Sequence, residues 1–325
     1  MATRCKILLR GALSATLVLW LSATSWAADR VRVGVAAVYP PYSIPYAAKE
    51  LGFYKDAGLD VDVTLYRGSS PAQEAIVSDL VDVITVPPYA VALAITKGVN
   101  EKIVAFCGDL RPLGWYVMVR KDSPIQTAAD LEGKTIGIGA TGSTTDLMAL
   151  VAMAEAHVTA QRIPLGNPGV MPALKAKQID AAIAWPLPSY QEILSGDYRP
   201  VFDFGKMQGT LLMNSWAAAN GMIDQRPAVL KRWLAVNEKT IRYMQDAKNE
   251  AWTLAFLKRY TEQDNDRVIK AAYDGSIKPL IADQSAKLDW LKDSLAVATR
   301  SGVPNLKGID GIYAPDFVPS WSGTH

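Results

Sequence analysis

Short runs rich in Val and Ile alternate with helix-like stretches along this 325-residue chain, and the alternation runs through twice. Buried parallel strands read as near-continuous apolar runs, and each parallel connection needs a helix-length return, so the pattern points to parallel sheets with crossover helices. The first series predicts strands over residues 31–37, 59–65, 82–86 and 102–106; the second predicts them over 134–139, 162–165, 180–184 and 199–204. A faint internal echo accompanies the two series. Ala75, Asp82 and Pro88 recur as Ala173, Asp180 and Pro186 at one constant offset, each set reading helix, Asp, strand, Pro-containing loop.

Beyond Pro227 the pattern becomes mainly helical, with Val229, Leu230, Trp233, Leu234, Ile241 and Met244 forming a stripe at near-helical spacing. A last helix is expected over 283–300, stopped by Gly302 and Pro304. Trp233, Trp252 and Trp290 are read as core. The fold class is therefore α/β with two lobes, each a mostly parallel sheet flanked by helices. Residues 115–119 and 215–219 are the expected crossing segments of a hinge, which divides the chain into lobe I (28–113 plus 213–325) and lobe II (114–212).

Residues 1–27 stand apart. Arg4, Lys6 and Arg10 precede an uncharged apolar run over 11–21 and then Ser25-Trp26-Ala27, the arrangement of a secretory signal peptide cut after Ala27. The apolar run is too short to span a bilayer, and no later stretch reaches that length. Removing those three cations leaves 31 Lys plus Arg against 32 Asp plus Glu, so the formal charge of +2 becomes −1, and nothing remains to attract nucleic acid. Cys5 leaves with the signal, and Cys107 alone makes no internal disulfide. A free monomeric protein of the periplasm, without a membrane anchor, is expected.

Scarce residues exclude whole classes of chemistry. Only His157 and His325 are present, so a Ser-His-Asp or Cys-His arrangement would need one of them as base. His157 reads as a helix C-terminal residue favoured by the dipole, and His325 as part of a loose terminus. Two distant His and one Cys make no zinc site, and no Asp-rich loop resembles a calcium site. No cofactor, metal or catalytic residue is expected.

Ligand chemistry is expected in the cleft between the lobes, beyond the carboxyl ends of the strands. After the first strand, Tyr39-Pro40-Pro41-Tyr42 joins two stiff prolines to two rings with hydroxyls. In Arg67-Gly68-Ser69-Ser70-Pro71-Ala72-Gln73, Ser70, Pro71 and Gln73 read as a capping box with a proline start. Gly68 and Ser69 are left to present backbone N–H groups to an anion. The loop from Gly137 to Asp146 matches the spacing G-x-G-x-x-G, yet Gly166 and Asn167 stand where a dinucleotide site needs an acidic residue. The reading preferred is a second helix start, with Gly142 in the turn, Ser143 as cap, and Thr144 and Thr145 as donors. Pro88 and Tyr89 from lobe I and Trp185 from lobe II bring rings to strand ends. Trp115 and Trp216, near the crossings, either line the cleft or pack the hinge. Arg67 and Arg111 either add charge to the site or lie on solvated surface.

These residues together resemble a known family. The stretch LGFYKDAGLDV over 51–61, Gly68-Ser69-Ser70 with Gln73-Glu74-Ala75, VRKDSPI over 119–125, Asp130-Leu131-Glu132-Gly133-Lys134, Gly142-Ser143-Thr144-Thr145, and Asp180 with Trp185-Pro186 are similar to periplasmic substrate-binding proteins of ABC transporters for nitrate, taurine, alkanesulfonates and thiamine-pyrimidine precursors. The resemblance is nearest the taurine and alkanesulfonate branch. It implies a type II periplasmic binding fold with a two-stranded hinge, closure on a small organic anion, and delivery to a membrane permease driven by an ATPase subunit. Where sulfonate binders tend to carry a small Gly/Ser loop, this chain has Pro87-Pro88-Tyr89, which favours a bulkier or aromatic ligand. Two alternatives stay open: an enzyme on the same scaffold acting on a small metabolite, and a ligand-sensing partner of a membrane receptor.

Overall fold

The computed structural model describes residues 28–66, 68–108, 111–303, 306, 308 and 311–317. The signal segment, Arg67, Pro304 and His325 lie outside the described residues.

Two five-stranded sheets are built on one plan. The first contains β1 (Asp29–Val35), β2 (Leu59–Leu65), β3 (Val83–Val86), β4 (Glu101–Phe106) and β10 (Ser215–Ala219), ordered β2-β1-β3-β10-β4. The second contains β5 (Tyr116–Arg120), β6 (Thr135–Ile138), β7 (Gln161–Pro164), β8 (Ala181–Ala184) and β9 (Tyr198–Asp203), ordered β7-β6-β8-β5-β9. In each, three parallel strands are followed by one antiparallel strand in fourth place: β10 between β3 and β4, β5 between β8 and β9. Central β3 (VITV) and β8 (AAIA) are buried along their whole length, which is why they lack alternation, whereas edge strand β2 buries Leu59 and Val61 and exposes Asp60.

The internal echo has a physical basis. Asp82 precedes β3 and accepts a hydrogen bond from the Arg32 N–H of β1 at 2.7 Å; Asp180 precedes β8 and accepts from the Thr135 N–H of β6 at 2.9 Å. Each carboxylate satisfies a backbone donor of the neighbouring strand.

Helices α1 (Ile44–Glu50), α2 (Phe53–Asp56), α3 (Ser69–Val77) and α4 (Pro88–Thr96) connect the first sheet, and α5 (Thr144–Ala156), α6 (Asn167–Lys175) and α7 (Pro188–Ser195) the second. After β10 come α8 (Asn220–Gln225), α9 (Pro227–Gln245), α10 (Glu250–Thr261), α11 (Asp266–Ala272) and α12 (Leu288–Arg300). All six residues of the expected α9 stripe are buried. The last helix starts at Leu288, later than predicted, because the Asp283 carboxylate accepts from the N–H and hydroxyl of Ser285 and holds a turn there. α12 packs on α4 of the first lobe and α5 of the second.

Residues 115–119 and 215–219 are not the crossings themselves. From Tyr116 and from Ser215 they are the antiparallel strands β5 and β10, which the crossings deliver. Just outside them two backbone hydrogen bonds link the connections: Cys107 N–H donates to the Asn214 carbonyl at 3.3 Å, and Phe204 N–H to the Trp115 carbonyl at 3.2 Å. No helix among the described residues is long and apolar enough to cross a membrane.

Candidate functional site

The carboxyl ends of β1 and β6 face each other across the lobes and enclose a chamber of about 380 Å³, open space at its mouth included. Rings come from Tyr39, Tyr42, Trp115 and Trp185, hydroxyls from Ser69, Ser143, Thr144 and Thr145, amides from Asn167 and Asn214, and small walls from Ala36 and Ala37. None of these lining side chains carries a charge.

Two helix starts aim into this chamber. Gly68 precedes α3 at φ 146° and Gly142 precedes the α5 cap at φ 77°, backbone regions that side-chain-bearing residues avoid. At α5, Ser143 occupies the cap position in extended geometry, and its hydroxyl lies 2.9 Å from Thr145 Oγ1, which accepts from the Gly139 N–H at 2.7 Å. That brace fixes the loop and leaves the first-turn N–H groups of Thr144 and Thr145 without the helical carbonyls that later residues use. Asp146 accepts from Gly142 N–H at 2.8 Å and pairs with Arg162, so its charge is neutralised. Gly139 is bare for a steric reason: a Cβ there would come 2.0 Å from Asn167 Oδ1.

In the first loop, Tyr42 N–H donates to the Tyr39 carbonyl at 2.8 Å in a 3-10 turn started by the two prolines. Tyr39 meets Tyr42 edge-on at 5.0 Å and Trp115 at 6.3 Å. Tyr42 hydroxyl donates to Asn214 Oδ1, and burial pushes its pKa well above the ordinary tyrosine value. Two donors remain: Trp115 Nε1 and Asn214 Nδ2 are buried, lack any protein partner, and belong to residues lining the chamber. A buried donor left unpaired costs about 1–3 kcal/mol, which an incoming oxygen acceptor recovers.

Other predicted residues lie elsewhere. Trp216 is 1% exposed inside the first lobe, its ring 5.0 Å from Trp233 at 90°; β10 directs it into the core, so it packs neither cleft nor ligand. Tyr89 spends its hydroxyl across the lobes, donating to the carbonyls of Gly142 at 2.8 Å and Ser143 at 2.6 Å, and Pro88 is the buried first residue of α4. The capping box does not form. Ser70 donates instead to the Thr141 carbonyl at 3.2 Å and Gln73 to Glu101, while Ser69 Oγ sits 3.2 Å from Thr144 Oγ1. Arg111 is exposed and does not line the chamber, and His157 caps the far end of α5 at φ 55°. Asn167 and Asn214 were absent from the sequence expectation. The one usable signal was Asn167 at the start of a helix after a predicted strand.

A model described as NMT1/THI5 like matches residues 40–251, from the first tyrosine loop to the start of α10. The chain belongs to the NMT1/THI5-like family. A protein of Brucella abortus named as a binding protein is 27% identical over 265 residues, 76% of this chain and 81% of that one. The solved alkanesulfonate-binding protein of Xanthomonas axonopodis pv. citri, bound to MOPS, superposes with a TM-score of 0.74 over 88% of this chain and 98% of that one at 15% identity. This NMT1/THI5-like chain thus has the type II periplasmic binding fold. A 2'-hydroxybiphenyl-2-sulfinate desulfinase of Rhodococcus erythropolis is 26% identical over 246 residues, 57% of this chain and 65% of that one.

Proposed function

We propose that the chain is the periplasmic solute-binding component of an ABC importer, exported by cleavage after Ala27 and acting as a monomer. It captures a small organic anion between the lobes and hands it to a membrane permease worked by an ATPase subunit. The observation that carries this reading is the set of neutral donors in one chamber: Trp115 Nε1 and Asn214 Nδ2, buried without a partner, beside Ser143, Thr144 and Thr145 at the start of α5. Neutral donors backed by helix dipoles hold a sulfonate or carboxylate while keeping it releasable. Closure follows because donors from both lobes reach one ligand only when the lobes are together, so the ligand has differential affinity for the closed state.

Catalysis is less well supported. Among the described residues the lining holds no thiol, imidazole or carboxylate, and Cys107 is 3% exposed with its thiol pushed well up by burial, the opposite of an activated nucleophile. Native mass spectrometry of protein purified without refolding, followed by calorimetry with sulfonates, carboxylates and pyrimidines, should find one anion per chain. Failure of every anion to bind refutes the reading, and turnover of a bound one transfers the protein to the enzyme class.

A further inference from the structure

Past Trp185 the cleft opens into a second chamber, and we propose that it houses the uncharged apolar body of the ligand, making the solute a long-chain or aryl anion rather than a short one. The inference rests on the anion-binding reading above and deepens it. The two chambers share Ala36, Ala37, Asn167 and Trp185, so a ligand whose head lies among the helix starts continues into the second space by running along the Trp185 ring. The second chamber encloses about 920 Å³ against about 380 Å³ for the first, open space included in both.

Its walls are apolar on both sides. Val38, Leu65 and Tyr66 come from the first lobe, and Pro168, Leu187 and Pro188 from the second. Val38 and Leu65 are 37% and 43% exposed, side chains that water solvates poorly. Leu187 sits at φ 87° in the turn behind Trp185, a strained backbone for a leucine. Its side chain crosses to the first lobe and packs in the cluster of Ile44, Ile241 and Phe256, which holds the turn, and Trp185 with it, over the chamber. Gln191 and Gln263 also line it and meet across the lobes, Gln263 Nε2 donating to Gln191 Oε1 at 3.1 Å. Among the described residues no charged side chain lines this space, so a second charge on the ligand would lose its hydration without a counter-ion from them.

The test is calorimetric titration with unbranched butane-, hexane- and octanesulfonate, the matching carboxylates, and butane-1,4-disulfonate. Affinity should rise up to about fourfold per added methylene, the gain from burying one CH₂, and the disulfonate should bind more weakly than butanesulfonate. The double variant Val38→Ser, Leu65→Ser, altered at half-exposed positions and checked for an unchanged melting midpoint, should lose tenfold or more for octanesulfonate and nothing for butanesulfonate. Equal affinity for four and eight carbons, or equal loss at both lengths in the variant, overturns the inference and leaves anion binding standing. Absence of binding at every length overturns both.

Discussion

Glu101, the first residue of β4, is 1% exposed. One of its oxygens accepts from Gln73 Nε2; the other, and the Gln73 carbonyl oxygen, are buried without a partner. Burial with no cation to offset it pushes the carboxyl from its ordinary 4.5 to about 7, against the Gln73 hydrogen bond that lowers it. The folded protein therefore holds this proton more tightly than the unfolded chain. The stability linked to it is complete below 4.5 and is lost as pH rises toward about 7. At about 1.4 kcal/mol per pH unit across that window, the loss is about 3 kcal/mol. Glu101→Gln keeps the shape and abolishes the charge. Urea denaturation of both proteins at pH 5 and pH 8 should show the wild type falling by about 3 kcal/mol relative to the variant, with equal slopes in denaturant. Parallel pH dependence in the two proteins would refute the argument, since it would mean that the carboxyl is solvated or paired in the folded state.

Thr144→Ala with Thr145→Ala should weaken binding of the anion tenfold or more while the fold survives, because both hydroxyls lie at the α5 start and the helix keeps its core; unchanged affinity in calorimetry would remove those two hydroxyls from the site. Tyr89→Phe deletes the hydroxyl that ties α4 to Gly142 and Ser143, worth about 1 kcal/mol. It should expand the unliganded protein in solution scattering and lower the affinity for every ligand by one common factor of about five; losses that differ between ligands would instead make Tyr89 a contact residue. Trp216→Ala should cost about 3–5 kcal/mol of stability with affinity intact in the folded fraction, and Trp185→Ala should do the reverse. Swapped outcomes in denaturation and titration would contradict the placement of the two rings.

The strands were legible because backbone pairing and burial leave a local trace, as the apolar runs VITV and AAIA show. The start of α5 was legible for the same reason, as Gly142 and Ser143 carry the turn and cap geometry in their own dihedral preferences. Local rules failed where a side chain had a stronger distant partner. Ser70 and Gln73 match a capping box, yet Thr141 and Glu101 take their hydrogen bonds. Asp283 delayed a helix that periodicity alone would have started earlier.

Trp185 and Trp216 are the same residue type at neighbouring ends of similar strands, and nothing in their flanking sequence separates a cleft wall from a core ring. Asn214 looks like an ordinary loop residue until Tyr42, 172 positions earlier, takes its carbonyl oxygen and leaves its amide unpaired. Residue order encodes period, turn and charge, which act over a few positions and so survive in the string itself. Which hydroxyl meets which carbonyl depends on two lobes, each folded from segments far apart in the chain, coming within about 3 Å of each other, and that separation exists only in three dimensions.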